Sequence, residues 1–235
     1  MAQAFFMTGT DTDAGKTSVA AGLLCAAKQQ GCSTLAMKPV ASGCEMTEQG
    51  LRNSDALALI AQSTVPLPYS QINPYAFAPA IAPHIAAQEA GVELSVADLY
   101  QAAQLVLQQQ ADFTLIEGAG GWRVPISNTE FLSDFAIALQ LPVILVVGVK
   151  LGCINHALLT AQAIINDGLE LAGWVANVVD PNCARLAENL ATLQQLMPAP
   201  CLAEVPYLPV ANAESMAKHL LLSMSVTKVL LMITT

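Results

Sequence analysis

A chain of 235 residues that is 54% hydrophobic and only 11% charged falls well below the about 25% charge of an average soluble domain. Nine basic against eighteen acidic side chains leave a net charge of −9, which excludes the clustered basic surface that displaces counterions from nucleic acid. The apolar run Leu141 to Val149 is far short of the ~20 residues that span a bilayer, so no membrane span is expected.

The elements follow in chain order as short apolar runs alternating with stretches of helical spacing, the pattern of βα units around a parallel sheet. Ala4 to Thr8 reads as a strand, and Thr17 to Gln29, with Val19, Leu23, Leu24 and Ala27 on one stripe, as a helix. Ser33 to Lys38 is the next strand. Asn53 or Ser54 offers an N-cap for a helix over Ala56 to Gln62, and Ser95 one for Val96 to Gln110. Between these helices, Val65 to Pro83 carries five prolines. That many predicts a long loop without regular structure, of the kind that binds ligands.

The second half predicts strands at Phe113 to Ile116, Pro142 to Val149, Gly173 to Val178 and Cys201 to Val205. The first three are nearly continuous in apolar residues, as central strands buried on both faces are. Ile154 to Asn166 and Ala184 to Leu196 are the intervening helices. Ala217 to Ile233 predicts a packed or dimer-facing helix with a frayed end. One domain over residues 1–235 is expected, with the tail 226–235 outside any firm assignment. Six dispersed cysteines form no C-x-x-C pair or zinc-type cluster and read as small buried apolar residues. Met1 to Thr8 lacks the basic and long apolar regions of a signal peptide. A reducing cytoplasm is the expectation.

Directly after the first strand, Gly9-Thr10-Asp11-Thr12-Asp13-Ala14-Gly15-Lys16-Thr17-Ser18 leads into a helix. Glycine lets the backbone approach phosphate, successive amides and the helix N-terminus supply donors, and a lysine supplies a point charge. Five residues instead of four separate Gly9 from Gly15. A fortuitous Gly-Lys-Thr helix start is the bland alternative, disfavoured by the strand before and helix after. In the phosphate-binding reading, Thr17 is a candidate ligand for Mg²⁺ through its hydroxyl.

Two acids are candidates to complete a magnesium site. Glu117 closes a strand ahead of Gly118-Ala119-Gly120-Gly121, where such enzymes present an acidic metal ligand; a turn-forming acid is the alternative. Asp55 begins a helix, where complementing the helix dipole would equally account for it. Lys38, one of six lysines, ends the second strand before Pro39-Val40-Ala41-Ser42-Gly43. Carboxyl ends of strands are where open α/β sheets bind ligands. A solvated strand end is the competing reading.

These segments resemble the ATP-dependent dethiobiotin synthetase family. The resemblance rests on Thr8 to Thr17, Lys38 to Gly43, Asn53-Ser54-Asp55, Asn73-Pro74-Tyr75, Pro83-His84, Glu117 to Trp122 and Leu151 to His156. It spans most of the chain and fades after Pro181. The five-residue spacing of the loop is the family's own form. The resemblance implies a P-loop NTPase-type fold, with a mainly parallel sheet and helices on both faces. It also implies closure of a cyclic urea from 7,8-diaminononanoate, CO₂ and MgATP through a carbamate and a carbamic-phosphoric anhydride.

Carried over by residue, the resemblance makes Lys16 and Lys38 catalytic through their charge, with Lys38 also on the substrate carbamate. Thr17, Asp55 and Glu117 surround Mg²⁺. Asp13, Ala14, Gly15, Lys16, Thr17 and Ser18 line the phosphates, with Gly118, Ala119 and Gly120 as further backbone contacts. Thr12 and Ser42 would meet the diamine or its carbamate, together with the backbone after Glu117. The family is a homodimer, and Gly152, Cys153, Ile154 and Asn155 would hold the substrate carboxylate of the other subunit from a helix N-terminus; an ordinary strand-to-helix turn is the alternative there. Asn177 and Val178, with Pro206, Tyr207 and Leu208, would contact adenine, and Glu214 the nucleotide. Pro209-Val210-Ala211 departs from the family pattern. Asn177-Val178-Val179-Asp180 also resembles a guanine-reading motif, without its lysine. His84 and His156 read as structural or neighbouring residues.

Three other readings compete. A partitioning ATPase would carry an extra lysine where Thr10 and Asp11 stand. A small-molecule kinase would use several arginines, whereas the chain has Arg52, Arg123 and Arg185 alone. A cobyrinate-type amidotransferase would need a glutaminase domain.

Overall fold

A computed structural model describes residues 2–223. The first half contains β1 (Gln3–Gly9), α1 (Lys16–Gln29), β2 (Thr34–Met37), β3 (Val40–Ala41), β4 (Glu45–Thr47), β5 (Gly50–Arg52), α2 (Ser54–Gln62), α3 (Tyr69–Ile72), β6 (Tyr75–Ala76), α4 (Pro83–Glu89) and α5 (Val96–Leu107). The second half contains β7 (Phe113–Glu117), α6 (Leu132–Leu139), β8 (Val143–Val149), α7 (Cys153–Asn166), β9 (Leu171–Val178), α8 (Leu186–Leu196), β10 (Cys201–Val205) and α9 (Ala213–Ser223).

Six strands form one sheet in the order β10-β9-β8-β1-β7-β2, every neighbouring pair parallel. All six carboxyl ends therefore share one rim. β1 lies between β7 and β8, with Met7 opposite Glu117 and Gly9 opposite Val146. Because strand side chains alternate in direction, successive residues feed different cores. Phe6, Leu145, Val147 and Trp174 pack beneath α5, α6 and α7. Phe5, Met7, Ile144, Val146 and Val175 pack beneath α1 and α9. α1 and α9 approach so closely that a Cβ on Gly22 would stand 2.6 Å from the Met216 Cβ.

The proline-rich segment departs from expectation. α3, β6 and the start of α4 lie within it, because its prolines occupy positions that need no backbone donor. Pro68 precedes α3 and Pro83 is the first residue of α4, where proline's fixed φ suits a helix start. β6 is a two-residue pairing with β3. The β4–β5 hairpin and α6 also escape periodicity, being too short for an eleven-residue pattern to register. α9 begins at Ala213, four residues before the predicted Ala217, and the remainder of that prediction, with the tail 226–235, lies outside the described residues. Among the described residues no helix is long and apolar enough to cross a membrane.

Candidate active site

The loop between β1 and α1 is seated by its neighbours. The Thr10 amide donates to the Val146 carbonyl (3.0 Å), and the Gly148 amide to Thr10 Oγ1 (3.2 Å). Asp13 and Gly15 both adopt left-handed backbone, at φ 60° and 86°. Gly15 is required twice over, since a Cβ there would also run into the Asn177 side-chain amide. The first bond inside α1 runs from the Val19 amide to the Gly15 carbonyl, 3.0 Å. The amides of Lys16, Thr17 and Ser18 precede it, at the positive end of the helix dipole, as an anion site requires.

Three chain segments converge beside this loop. Lys38 Nζ lies 2.6 Å from Glu117 Oε1 and 3.3 Å from Asp55 Oδ2, and donates to the Gly118 carbonyl at 3.0 Å. Thr17 Oγ1 donates to the same Glu117 Oε1 at 2.8 Å. Glu117 is 0% exposed, whereas the Asp55 side chain is 40% exposed. Glu117 Oε2 is buried and has no hydrogen-bond partner among the described residues.

Burial and charge set the two lysines apart. Burial, reinforced by the neighbouring Lys38 charge, lowers the Lys16 ammonium to about 8, although Glu117, Asp55 and Asp13 pull the other way. Its Nζ donates to the Asp11 carbonyl at 3.1 Å. Burial opposes the charge of Lys38 as well, but Glu117 and Asp55 together outweigh it and hold this ammonium above the usual lysine range.

A cavity of about 760 Å³ is lined by Thr12, Asp13, Gly15, Lys16, Thr17, Ser18, Lys38, Ser42, Asp55, Ala119 and Gly120, with Arg123 and Ile81 on its further walls. Ser42 Oγ is buried without a hydrogen-bond partner among the described residues. Ala14, Glu117 and Gly118 lie beneath this surface, all buried. Of the residues expected at the adenine, Asn177 donates to the Ala14 carbonyl at 2.9 Å and thereby braces the phosphate loop from below. Val178 is the buried end of β9, Pro206 to Leu208 follow β10, and Glu214 is exposed in the first turn of α9. None of these lines the cavity. Nor do Gly152, Cys153, Ile154 and Asn155, which open α7 at the end of β8; Asn155 is exposed and Cys153 buried. The Cys153 amide already donates to the Lys150 carbonyl, 3.0 Å.

Sequence reasoning missed a supporting network. Asn73, itself buried, donates to the Lys38 carbonyl (2.7 Å) and accepts from the Tyr69 hydroxyl (2.9 Å). That hydroxyl accepts the Asn53 amide at 2.7 Å, and Asn53 Oδ1 caps α2 through the amides of Asp55 and Ala56. One chain of bonds thus sets both Lys38 and Asp55. The cap at Asn53 and the Asn-Pro pair at residues 73 and 74 were its local traces. Lys150, at the carboxyl end of β8, pairs with Asp11 of the phosphate loop at 3.4 Å, another contact no local pattern announced.

A parallel sheet with a phosphate-binding loop at its central strand, an acid ending the neighbouring strand and helices on both faces defines a P-loop NTPase-type protein. Solved structures agree in fold. A ParA family ATPase from Chlorobium tepidum superposes with a TM-score of 0.56 at 13% identity, covering 97% of this chain and 93% of that one. MinD complexed with Mg-ADP from Pyrococcus horikoshii does so at 0.54 and 16%, covering 92% and 86%. The family model described as AAA domain matches residues 3–215. Within this class the chain belongs to the ATP-dependent dethiobiotin synthetase family. It is 66% identical to the ATP-dependent dethiobiotin synthetase BioD of Pseudomonas aeruginosa, covering 92% of this chain and 95% of the relative. Identity is 61% to that of Cellvibrio japonicus, covering 93% and 95%, and 53% to BioD 1 of Salmonella typhi, covering 92% and 94%.

Proposed function

We propose that the chain is a dethiobiotin synthetase, a cyclo-ligase of biotin biosynthesis that joins 7,8-diaminononanoate and CO₂ at the expense of ATP. The observation that carries the reading is the convergence of Lys16, Lys38 and Glu117 beside one cavity at the phosphate loop. One substrate amine takes up CO₂ and loses a proton to become a carbamate. A carbamate oxygen attacks the γ-phosphorus, and ADP leaves. The second amine then attacks the carbamate carbon of this mixed anhydride and loses a proton, and phosphate departs with closure of the ring.

The chain's part in this is position and charge, which dominate phosphoryl transfer. Asp13 to Ser18 cradle the triphosphate with backbone amides. Lys16 spans phosphate and carbamate, and Lys38 neutralises the carbamate and the phosphoryl group in transit. Thr12 and the buried Ser42 hydroxyl orient the diamine, with the backbone of Gly118, Ala119 and Gly120 alongside. Asn177, Val178, Pro206, Tyr207, Leu208 and Glu214 serve the nucleotide from the far side of the loop.

The residues fit a hard divalent cation. Glu117 presents a buried oxygen without a hydrogen-bond partner among the described residues, beside the Thr17 hydroxyl and within reach of the same lysine as Asp55. No group of three His, Cys, Asp or Glu placed to hold a metal ion by itself occurs among the described residues. Thr17, Asp55 and Glu117 would therefore hold Mg²⁺ with phosphate oxygens and water completing its oxygen shell. When bound, the ion adds positive charge against the triphosphate.

The chain is one domain in this reading, with the tail 226–235 outside any firm assignment, and two copies assemble so that Gly152 to Asn155 of one serve the substrate carboxylate of the other. Their position outside their own chain's cavity supports the exchange. All six cysteines are free, which supports a cytoplasmic setting. The test is diamine- and bicarbonate-dependent release of phosphate with dethiobiotin detected by mass. Brisk hydrolysis without diamine, stimulated by a protein or DNA surface, would sink the reading.

A further inference from the structure

Lys16, Lys38 and Arg123 are the cations that line the cavity among the described residues, and the reaction scheme leaves Arg123 without a task. It follows the glycine loop after β7, in a stretch whose Val124 and Pro125 also line the cavity, as does Ile81 from the segment before α4. The guanidinium is held in place. Nη2 donates to Asp167 Oδ1 at 2.6 Å, and Nη1 to the hydroxyl of the buried Ser133 at 3.0 Å. The other Asp167 oxygen accepts the Trp122 indole N–H at 2.7 Å. Asp167 caps the carboxyl end of α7, where the helix dipole disfavours an anion. Its bonds to Trp122 and Arg123 offset that cost and fix the direction of the arginine.

Half of the Arg123 side chain remains exposed, at 49%. A guanidinium carries five N–H donors, and the two bonds to Asp167 and Ser133 leave others for a ligand. Its planar fork matches a carboxylate, whereas an ammonium acts as a point charge. The proposed substrate has two ends of unlike chemistry. Its amines belong beside Lys16, Lys38 and Ser42, where the phosphate loop also meets the triphosphate. Its methylene chain suits the apolar surface of Val124, Pro125 and Ile81, and its far end is a carboxylate.

We infer that Arg123 binds the carboxylate end of the diamino acid from the same chain that holds the amines, and sets the preference for an acid over a neutral diamine. The inference rests on the proposed function. It complements the start of α7 in a second copy, because amides there offer neutral donors and Arg123 offers a charged one. Since Asp167 already balances its formal charge, Arg123 contributes directed charge-assisted hydrogen bonds more than long-range attraction.

The experiment compares 7,8-diaminononanoate with octane-2,3-diamine, the same diamine without its carboxyl group, in the full chain with saturating MgATP. Wild type should favour the acid in kcat/KM. Arg123→Leu should shrink that ratio by about tenfold or more, as loss of a hydrogen bond to a charged group does. Its effect should fall on KM for the acid, with KM for ATP and the rate with octane-2,3-diamine unchanged. Arg123→Lys should recover part of the ratio. An unchanged ratio in Arg123→Leu overturns the inference, as does a rise in KM for ATP in its place, or an equal loss with both diamines in both variants. A wild-type protein that forms no ring from the acid overturns the proposed function itself, a result distinct from these.

Discussion

Lys38 and Glu117 stand 79 residues apart in sequence, yet the ammonium and the carboxylate meet at 2.6 Å in a site where the side chains are 5% and 0% exposed. Removing one member of a buried ion pair strands the other, which costs about 3–5 kcal/mol. Lys38→Ala should therefore lose about that much stability in chemical denaturation and form no ring. Lys38→Met with Glu117→Gln should regain most of the stability and none of the activity. Full turnover by Lys38→Ala would remove the lysine from the reaction.

The two acids differ in exposure, and their substitutions should differ accordingly. Glu117→Gln is expected to raise the magnesium concentration for half-maximal product formation by about tenfold or more, the range for losing a charged partner. Asp55→Asn should do so by less, because its side chain is 40% exposed and its charge is screened by water. A magnesium titration of each variant is the check, and equal requirements in wild type and both variants would reduce the pair to structural acids.

Lys16 gives the protein a pH signature. Burial brings its ammonium down to about 8, and triphosphate binding favours the charged form. Below pH 8 the lysine is protonated with and without nucleotide, so this group adds no pH dependence. Above it, binding requires proton uptake, and affinity should fall by up to about tenfold per pH unit until the bound-state value is reached. Calorimetry at about pH 9 in buffers of differing ionisation heat should register uptake approaching one proton. Buffer-independent heats would contradict the assignment.

Tyr69 tests the support behind the site. Its hydroxyl joins Asn73, which holds the Lys38 backbone, to Asn53, which caps the helix carrying Asp55. Tyr69→Phe leaves the Asn53 amide and Asn73 Oδ1 each short of a partner and should cost about 1–3 kcal/mol. Its activity loss should partly reverse at high magnesium, as Asp55 is displaced and not deleted. Wild-type stability in this variant would show that water replaces the hydroxyl.

Much was already written in local order along the chain. The phosphate loop needs only consecutive residues: glycine where the backbone turns left-handed, a lysine, and a helix start whose amides are free by construction. The apolar runs of the central strands, and the caps Asn53 and Ser95, are likewise properties of short windows. Lys38, Asp55 and Glu117 could be named because each stands at a strand or helix end, and parallel connections return such ends to one rim.

Tertiary structure decided what depends on contacts between distant segments. That Lys38 would pair with Glu117, that Asn177 would brace Ala14, and that Asp167 would aim Arg123 follow from strand order and helix packing, which no spacing encodes. The elements among the prolines were hidden for a related reason: proline is costly inside a hydrogen-bonded ladder and tolerated at its starts, and only the folded chain reveals which of these each proline occupies. Composition determined that charge is scarce. The fold decided that three of nine basic residues would line one cavity, because the loops after β1, β2 and β7 leave the same edge of a single parallel sheet.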